Sequence, residues 1–491
     1  MKTYDVLVVG AGTAGQTAAY ELRAHGLEVA LADNSGRPGG VCALAGCQAK
    51  KYFYEVTETV ARAQHLTGKG IQTSAVGDWS AILDRKNAFT VNIPDNTING
   101  LYEAGVDYHE GTVRFIDADA IAVDDARLKP RYVILATGAM PMPLSFEGSR
   151  HLLTSDQFLD LRELPRRIVF VGGGFISFEF AHFAARLGPP GRQITVLEAA
   201  THPLGPFDGE MVDLLVAASA DEGVDIRCNL QIESIDQQGE SYNVHLADGS
   251  TIGADMVVHG AGRVPNLASL ALDQAGVAYG RRGITTDARM RTTHPRVFAI
   301  GDCAATPQLA RVADYEASVA AANIIAAING GKPRTIDYQA VPAILFSYPQ
   351  LAMVGQTEDA LVRAGAPYIK SAARNLRWPT YRRIGMKHAA YKILVDPDRH
   401  ILGAHFLSDN AAGLVNAVKQ AMLNGQTVDD FYDQSVMSPY PSRESDIVYM
   451  IKPLLKTDGK TKTASEALSS LKAGLKHQSG DKGPGIEGDG R

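Results

Sequence analysis

The chain is short of the features that mark secreted, membrane and nucleic-acid-binding proteins. It has only four cysteines in 491 residues, whereas small disulfide-built secreted domains are rich in cysteine. No run of about eighteen apolar residues is present, which argues against a membrane span, and the N-terminus lacks the apolar core of a signal peptide. The net charge of −6 is mild and gives no sign of the basic surface that nucleic-acid-binding proteins carry. We therefore expect a cytoplasmic protein, without nucleic-acid or membrane partners, whose thiols stay reduced unless a disulfide is catalytic.

Glycine, in contrast, is abundant, with 48 residues, and much of it lies in turns that follow apolar runs. Gly10, Gly12 and Gly15 form the pattern G-x-G-x-x-G between a predicted strand at 4–9 and a predicted helix. The first glycine permits a tight turn, the second lets the backbone approach a pyrophosphate, and the third allows close helix–strand packing. Asp33 ends the next predicted strand, where a carboxylate can hold ribose hydroxyls. The combination predicts a dinucleotide site in a βαβ unit rather than merely a glycine-rich turn.

A second fingerprint begins in "RIVFVGGGFISFE", where Gly172, Gly174 and Ser177 occupy the three glycine positions. Serine is small enough to keep the close packing. Glu198 ends the next predicted strand, and a carboxylate there favours a free 2′-hydroxyl and repels a 2′-phosphate. The sequence therefore favours NAD over NADP, with an unused vestigial unit as the alternative. Two such units suggest two cofactors, one of them FAD held permanently and the other a visiting nicotinamide.

The remaining segments complete the prediction of an α/β protein with two Rossmann-like dinucleotide-binding domains and a further α+β domain. A long helix is expected at 309–330. From about residue 336 short alternating apolar runs predict the separate domain, with a helix near 411–424. Residues 456–491 are polar, with almost no large apolar side chains, and predict a flexible tail.

Half of the cysteines lie in "GRPGGVCALAGCQAKK", as Cys42 and Cys47. In an ideal helix, residues five apart have Cα atoms about 8–9 Å apart, which exceeds the disulfide limit of about 7 Å. A bridge therefore requires that the segment is not a regular helix, and its glycines would permit the distortion. A helix N-terminus there would also favour a thiolate. A zinc half-site is disfavoured because the other two cysteines stand alone, so no metal is expected; two inert buried thiols stay open as an alternative.

The motifs occur in a recognisable order: Gly10–Gly15, "GGVCALAGCQAKK" (39–51), "LATG" (135–138), "VGGGFISFE" (171–179), "GAGRVPN" (260–266), "FAIGD" (298–302) and "FSYPQLAMVGQTE" (346–358). This order resembles the flavoprotein disulfide reductases with two dinucleotide-binding domains, which include lipoamide dehydrogenase, glutathione reductase and mercuric reductase. The resemblance covers roughly residues 4–450. It implies an FAD- and NAD(P)-linked oxidoreductase with a redox-active disulfide.

The resemblance also implies catalytic roles. Cys47 would be the charge-transfer thiol that faces the flavin, and Cys42 the interchange thiol that faces the substrate. Lys50 would lie beside the flavin, with Glu179 as its ion-pair partner. A buried pair of this kind satisfies itself, while the cation favours a reduced, anionic flavin.

Further positions match the family's cofactor contacts. Phe175 would gate the nicotinamide pocket, and Asp302 would hold the flavin's ribityl chain. Cys303, beside it, is expected to be structural. Other cofactor contacts are implied within the same motifs, at Gly40, Lys50, Thr137, Gly138, Gly262, Arg263 and Gly301.

The resemblance divides the chain into domains. Residues 1–150 and 267–335 would form the FAD-binding and central part, and 151–266 the NAD(P)-binding domain. Residues 336–455 would form the dimerisation domain, so a homodimer is expected.

The pattern breaks near the C-terminus. Disulfide reductases end with H-P-T-x-x-E, whose histidine acts from the partner subunit as the acid–base group for the substrate thiol. Here the matching stretch is "SPYPSRESDIVYM" (438–450), with Tyr440 at the histidine position and Ser445 at the glutamate position. A free tyrosine has a pKa near 10 and is a poor base at neutral pH. Tyrosine also occurs there in mercuric reductases, which add a C-terminal cysteine pair that this chain lacks, and in soluble transhydrogenases, which lack the active cysteine pair.

We therefore predict an FAD-dependent NAD(P)H oxidoreductase that passes electrons between a nicotinamide and a disulfide or dithiol substrate through the flavin and the Cys42–Cys47 pair, in the manner of a dihydrolipoamide dehydrogenase. One alternative is a reductase of quinones, metal ions or electron carriers in which the thiols only modulate the flavin. Another is a catalytically weak flavoprotein that binds a partner through its basic tail.

Overall fold

A computed structural model of the protein describes residues 3–456, so the predicted tail lies, apart from Lys456, outside the described residues. The N-terminal part opens with an apolar strand, "VLVV", whose four residues are all buried. Its elements are β1 (Val6–Val9), α1 (Thr13–Ala24), β2 (Val29–Asp33), α2 (Gly40–Leu44), α3 (Ala49–Leu66), α4 (Trp79–Thr90), α5 (Ile93–Glu103), β3 (Asp107–Glu110), β4 (Val113–Phe115), β5 (Ile121–Val123), β6 (Ala126–Leu128), β7 (Tyr132–Leu135) and β8 (Ala139–Pro141).

The next part repeats the strand–turn–helix pattern around the second fingerprint. Its elements are α6 (Ser155–Leu159), β9 (Arg167–Val171), α7 (Phe175–Leu187), β10 (Gln193–Leu197), α8 (Gly209–Asp221), β11 (Val224–Arg227), β12 (Ile232–Gln238), β13 (Ser241–Leu246), β14 (Thr251–Ala254), β15 (Met256–His259) and β16 (Arg263–Pro265). The order β11-β10-β9-β15 forms a parallel sheet, and β12-β13-β14 forms an antiparallel one.

The chain then returns to the first sheet. The elements of this return are β17 (Tyr279–Gly280), β18 (Gly283–Ile284), β19 (Val297–Ala299) and α9 (Ala310–Asn329). The first sheet has the order β19-β7-β1-β2-β3, with all neighbours parallel. Because the strands are parallel, their carboxyl ends meet at one edge, and the turns after β1, β2, β7 and β19 gather there.

The last part is built on a five-stranded antiparallel sheet of order β20-β21-β24-β23-β22. Its elements are β20 (Ala343–Leu345), β21 (Gln350–Gly355), α10 (Glu358–Ala364), β22 (Ile369–Arg374), α11 (Pro379–Arg382), β23 (Ala390–Val395), β24 (Ile401–Ser408), α12 (Ala411–Leu423), α13 (Val428–Ser435) and α14 (Ile447–Ile451). Helix α12 packs on this sheet and contributes Leu414, Val415 and Val418 to its core. None of the helices between residues 3 and 456 is long and apolar enough to cross a bilayer.

Candidate active site

The first glycine turn has the geometry that a pyrophosphate requires. Gly10 has φ +110°, and a Cβ there would collide with the carbonyl of Ala136. A Cβ on Gly12 would meet nothing nearer than the Cα of Gly40, at 3.8 Å. Helix α1 starts after Gly12 without a side-chain cap. Its first N–H groups are therefore available to an anion, and the turn fits a dinucleotide phosphate.

The second glycine turn repeats this arrangement at the start of α7. A Cβ on Gly172 would collide with the backbone of Ala261, and Gly174 leads into the helix without a side-chain cap. Helix α8, by comparison, is capped by the carboxylate of Asp208. Ser177 is fully buried, as the third glycine position requires, and its hydroxyl has no hydrogen-bond partner among the described residues.

The two strand-end acids brace these turns. Asp33 accepts a hydrogen bond from the N–H of Ala11 at 2.8 Å. Glu198 accepts one from the N–H of Gly173 at 2.6 Å. Each acid also accepts a backbone N–H two residues further along the chain. Each carboxylate therefore fixes its glycine turn in addition to any contact that it makes with a ribose.

The cysteine segment is not a regular helix. Helix α2 ends at Leu44 and α3 starts at Ala49, so Cys42 lies in α2 and Cys47 lies in the connection. The carbonyl of Cys42 accepts a hydrogen bond from the N–H of Gln48 at 2.9 Å, which folds the connection back on α2. Both residues are free thiols in this structure, and their side chains are hydrogen-bonded to each other.

The two thiols differ sharply in acidity. The hydrogen bond from Cys42 lowers the pKa of Cys47 to about 7, with help from the charge of Lys50. The same hydrogen bond, together with burial, raises the pKa of Cys42. Cys47 is thus the thiol that ionises first, while Cys42 keeps its proton.

An ion pair lies next to the thiols. The Nζ of Lys50 is 2.5 Å from Oε2 of Glu179, which is almost fully buried in α7. The other oxygen of Glu179 accepts the N–H of Phe346 at 3.0 Å, in the segment that follows β20. This pair therefore joins three parts of the chain: the cysteine helix, the second dinucleotide unit and the antiparallel-sheet domain.

The neighbouring lysine has a different environment. The Nζ of Lys51 lies 2.9 Å from the ring centroid of Phe346 and 4.2 Å from that of Tyr54, so aromatic faces hold the cation. Burial, together with the charge of Lys50, lowers the pKa of Lys51 to about 8. Sequence reasoning assigned no role to Lys51 or Phe346, although both lie inside the recognised motifs.

The turns after β7 and β19 complete the edge of the first sheet. The hydroxyl of Thr137 donates to the carbonyl of Asn266 at 2.7 Å. The N–H of Asn266 donates to the carbonyl of Gly138 at 2.9 Å. These bonds hold the segment that contains Gly262 and Arg263 against the first sheet. Burial raises the pKa of Asp302, and the nearby Arg263 opposes this shift.

Three further residues that the sequence singled out are Phe175 in the second dinucleotide unit and Tyr440 and Ser445 near the C-terminus. Phe175 starts α7 and packs on Phe207, with ring centroids 5.3 Å apart. Tyr440 is 71% exposed. The hydroxyl of Ser445 donates to the carbonyl of Ser442 at 2.8 Å, so it takes part in a local turn. Sequence alone gives no signal for this use of Ser445.

The acids beside Ser445 are engaged within their own domain. Glu444 accepts a hydrogen bond from Asn410 at 2.7 Å, and Asp446 is buried against the hydroxyl of Thr380. Neither carboxylate is free to replace the missing glutamate of the H-P-T-x-x-E pattern. Among residues 3–456, no cluster of three or more His, Cys, Asp or Glu side chains could hold a metal ion.

Comparison with known proteins connects this geometry to a family. Residues 4–317 match the model of the pyridine nucleotide-disulphide oxidoreductases, and residues 341–448 match the dimerisation domain of that family. The chain is 31% identical over 439 residues to the dihydrolipoyl dehydrogenase of Geobacillus stearothermophilus, covering 87% of this chain and 91% of that one. It is 28% identical over 449 residues to the mercuric reductase of Staphylococcus aureus, covering 89% and 80%.

Solved structures agree with this assignment. The HOCl-induced flavoprotein disulfide reductase RclA from Escherichia coli superposes with a TM-score of 0.81 and 26% identity, over 92% of this chain and 100% of that one. A Cu(II) complex of the same reductase gives a TM-score of 0.82. Family members use FAD and pyridine nucleotides. The chain therefore belongs to the pyridine nucleotide-disulphide oxidoreductases and is an enzyme of that flavin-dependent family.

Proposed function

We propose that this enzyme is an FAD-dependent, NAD(H)-linked reductase whose Cys42–Cys47 pair alternates between a disulfide and a dithiol. The observation that most supports it is the break between α2 and α3. This break brings the two thiols into hydrogen-bonding contact on the same segment as Lys50 and its partner Glu179. An inert buried pair would need no such break, and neither thiol is fully buried.

The described residues fit both cofactors at the two uncapped helix starts. FAD would be held by Gly10, Gly12, Gly15, Asp33, Gly40, Lys50, Thr137, Gly138, Gly301 and Asp302. The nicotinamide dinucleotide would be held by Gly172, Gly174, Phe175, Ser177, Glu198, Gly262 and Arg263. When bound, FAD would supply a carrier that accepts a hydride from the nicotinamide and passes an electron pair on to sulfur.

The acidity of the two thiols matches the products that a hydride gives when it reduces a disulfide. A hydride carries two electrons and one proton, and reducing the Cys42–Cys47 bond with it leaves one thiolate and one thiol. Cys47, with its pKa of about 7, holds the negative charge, and Cys42 keeps the proton. Lys50 stabilises the thiolate through its charge.

Exchange with a disulfide substrate then restores the oxidised pair. The sulfur of Cys42 attacks one substrate sulfur, its proton passes to the thiolate that leaves, and a mixed disulfide forms. The thiolate of Cys47 attacks the sulfur of Cys42, and the second substrate thiolate leaves and takes a proton from solvent. With Tyr440 at the histidine position, no histidine is there to assist transfer of the Cys42 proton, so we expect this step to limit turnover with small disulfides.

Single cysteine variants test the thiol mechanism. NADH added anaerobically to the FAD-loaded wild type should give the long-wavelength absorption of a thiolate beside oxidised flavin. Cys42→Ser, which has no disulfide to reduce, should show this absorption before NADH is added, whereas Cys47→Ser should not show it at all. Both variants should lose disulfide reduction, because exchange needs both sulfurs. Undiminished disulfide turnover by Cys42→Ser would contradict the proposal.

The nicotinamide preference rests on Glu198. We propose that its carboxylate favours NADH by repelling the 2′-phosphate of NADPH. Glu198→Gln should narrow the ratio of kcat/KM for NADH over NADPH by about tenfold, which corresponds to one close like-charge contact. Asp33→Asn is the matched control, because Asp33 makes the same backbone contacts at the other fingerprint. An equal change of the ratio in both variants would remove Glu198 as the determinant.

A second candidate function is reduction of metal ions, quinones or electron carriers, with the thiols only modulating the flavin. The observation that favours it is the exposed Tyr440 in place of a base, and a solved relative has been captured as a Cu(II) complex. The activities of Cys42→Ser toward disulfides and toward Cu(II) and quinones distinguish this function from the thiol mechanism. Retained reduction of Cu(II) and quinones with lost disulfide reduction would show that the enzyme serves both kinds of acceptor by separate routes.

We also propose the division of the chain that the motifs suggest. Residues 1–150 and 267–335 would bind FAD, residues 151–266 would bind the nicotinamide, and residues 336–455 would mediate a homodimer.

A further inference from the structure

Glu316 is a fully buried carboxylate in the middle of α9, far along the chain from every predicted site residue except the Gly301–Asp302 turn. Glutamate is almost never fully buried unless it is paired. Within residues 3–456, no lysine, arginine or histidine forms an ion pair with it. Its charge must therefore be balanced by hydrogen-bond donors.

Two donors meet this carboxylate from different parts of the chain. Oε2 accepts the N–H of Gly301 at 2.6 Å, and Oε1 accepts the hydroxyl of Tyr338 at 2.7 Å. Tyr338 lies in the segment that leads into the antiparallel-sheet domain. Burial raises the pKa of Glu316, and both of these hydrogen bonds favour the ionised form.

The Gly301 turn is narrow. Gly301 has φ +66°, and a Cβ there would lie 3.4 Å from the side chains of both Ala14 and Ala313. Gly301 therefore packs between α1 and α9, and Asp302 is the residue that follows it. Asp302 is close enough to the thiols to raise the pKa of Cys47. A shift of this turn would therefore move both the proposed ribityl contact and a charge near the redox thiol.

We propose that Glu316 is a positioning residue: it holds the Gly301–Asp302 turn in place for FAD, and the hydroxyl of Tyr338 holds Glu316. This inference rests on the proposed flavin site. It adds a residue that no fingerprint contains, and it links that site to the segment that enters the antiparallel-sheet domain. Glu316 acts only through the backbone of Gly301 and does not touch the reacting atoms.

The test compares three variants with one matched control. Glu316→Ala removes both acceptors, Glu316→Gln keeps an oxygen for the N–H of Gly301, and Tyr338→Phe removes only the second donor. The control is Asn323→Ala. Asn323 lies two helical turns further along α9, is also buried, and hydrogen-bonds the backbone of Arg334 and Arg289 instead of the turn.

The first readout is the FAD dissociation constant, measured by flavin fluorescence during reconstitution. Glu316→Ala should bind FAD ~10- to 100-fold more weakly, as expected for loss of a charge-assisted hydrogen bond. Glu316→Gln should stay within about threefold of wild type, and Tyr338→Phe should fall between these two. Asn323→Ala should match wild type.

The second readout needs no turnover. In the reduced protein, alkylation of Cys47 by iodoacetamide is followed against pH by mass spectrometry. Once the turn is released, Asp302 no longer raises the pKa of Cys47, so the midpoint should move to lower pH in Glu316→Ala and not in Asn323→Ala.

The outcomes separate this inference from the proposed function. Wild-type protein that binds no FAD would overturn both. Wild-type binding together with unchanged FAD affinity and an unchanged Cys47 midpoint in Glu316→Ala would overturn only the positioning role, as would equal losses in Glu316→Ala and Asn323→Ala. If Glu316→Ala does not fold, Tyr338→Phe tests the proposal in its place. Wild-type FAD affinity and a wild-type Cys47 midpoint in Tyr338→Phe would contradict the proposed link from Tyr338 through Glu316 to the Gly301–Asp302 turn.

Discussion

At the scale of single residues, the enzyme assigns different properties to chemically identical groups. Cys42 and Cys47 are both free thiols, yet one keeps its proton while the other ionises near neutral pH. Lys50 is ion-paired and Lys51 is held by rings. In each case the groups in direct contact with the side chain make the difference, because short-range hydrogen bonds, charges and burial dominate shifts in pKa.

The acidity of Cys47 gives a measurable pH profile. The folded-state pKa is lowered, so the thiolate is present above about pH 7 and is lost as the pH falls below it. Alkylation of Cys47 in the reduced protein should therefore rise with a midpoint near pH 7. Cys42→Ala removes the largest cause, the hydrogen bond, and should move the midpoint upward by more than Lys50→Met does. A larger shift for Lys50→Met would show that charge, and not the hydrogen bond, sets the acidity.

At the scale of elements, the junction between α2 and the first glycine turn leaves no room for a side chain. Gly40 has φ +78°, and a Cβ there would lie 2.5 Å from the Cα of Gly12. Gly36 has a similar φ of +64° but open space around its Cα. A side chain at Gly36 would therefore meet backbone strain alone, whereas one at Gly40 would meet both backbone strain and a steric clash.

This difference predicts unequal costs for the same substitution. Gly36→Ala should cost about 1–2 kcal/mol, which is the strain of a left-handed alanine. Gly40→Ala should cost more than that and should also weaken FAD retention, because the backbone of Gly12 must move away. Thermal unfolding and FAD release measure the two effects. Equal behaviour of the variants would mean that the contact between α2 and the first turn is loose.

A buried lysine ties the second dinucleotide unit to the antiparallel sheet. Lys392 in β23 is 3% exposed, and its Nζ lies 2.7 Å from Asp208, 3.0 Å from Glu210 and 2.7 Å from Glu358. Asp208 caps α8 and Glu358 starts α10. The N-terminal ends of α8 and α10 therefore both pair with the ammonium group of Lys392.

Removing that charge should be costly. Lys392→Met leaves the carboxylate of Asp208 buried without a cation, a change that typically costs about 3–5 kcal/mol. Lys370 shares Glu358 but is 40% exposed, so Lys370→Met should cost less than about 1 kcal/mol. The thermal midpoint should fall much further for Lys392→Met. Similar midpoints for both variants would show that the cluster does not hold the two parts together.

At the scale of the whole molecule, the C-terminal part exposes apolar side chains that a dimer would cover. Met437 is 90% exposed, and Val436, Tyr440 and Tyr449 are also at the surface. They lie in or just beyond the segment that matches the dimerisation domain. An exposed apolar run of this kind favours a protein contact.

Substitution here should change the oligomeric state. Met437→Asp should shift the protein from dimer toward monomer in light scattering, because a desolvated charge opposes burial in an interface. Val76→Asp is the matched control, since Val76 is equally exposed but lies outside this segment. A dimer that survives Met437→Asp, or one that Val76→Asp disrupts, would place the interface elsewhere.

Local residue patterns were sufficient to predict much of this protein. The two glycine turns, their strand-end acids and the break at the cysteine pair follow from constraints that act over a few residues, namely positive φ angles, close backbone approach and helix geometry. The predicted α/β fold and the family are confirmed. The family resemblance, recognised from the order of the motifs, predicted the ion pair of Lys50 with Glu179, although the two residues are 129 positions apart.

Other features depended on which distant groups the fold brings together. The buried Glu316, the rings around Lys51 and the uses of Glu444 and Asp446 involve partners that no local period or spacing encodes. The sequence by itself determined where a dinucleotide and a thiol pair could lie, because backbone geometry and residue type are local properties. Only the tertiary structure decided which thiol ionises, because that depends on how the break between α2 and α3 places Cys42, Cys47 and Lys50. It also decided which carboxylates are free, because their partners come from distant parts of the chain.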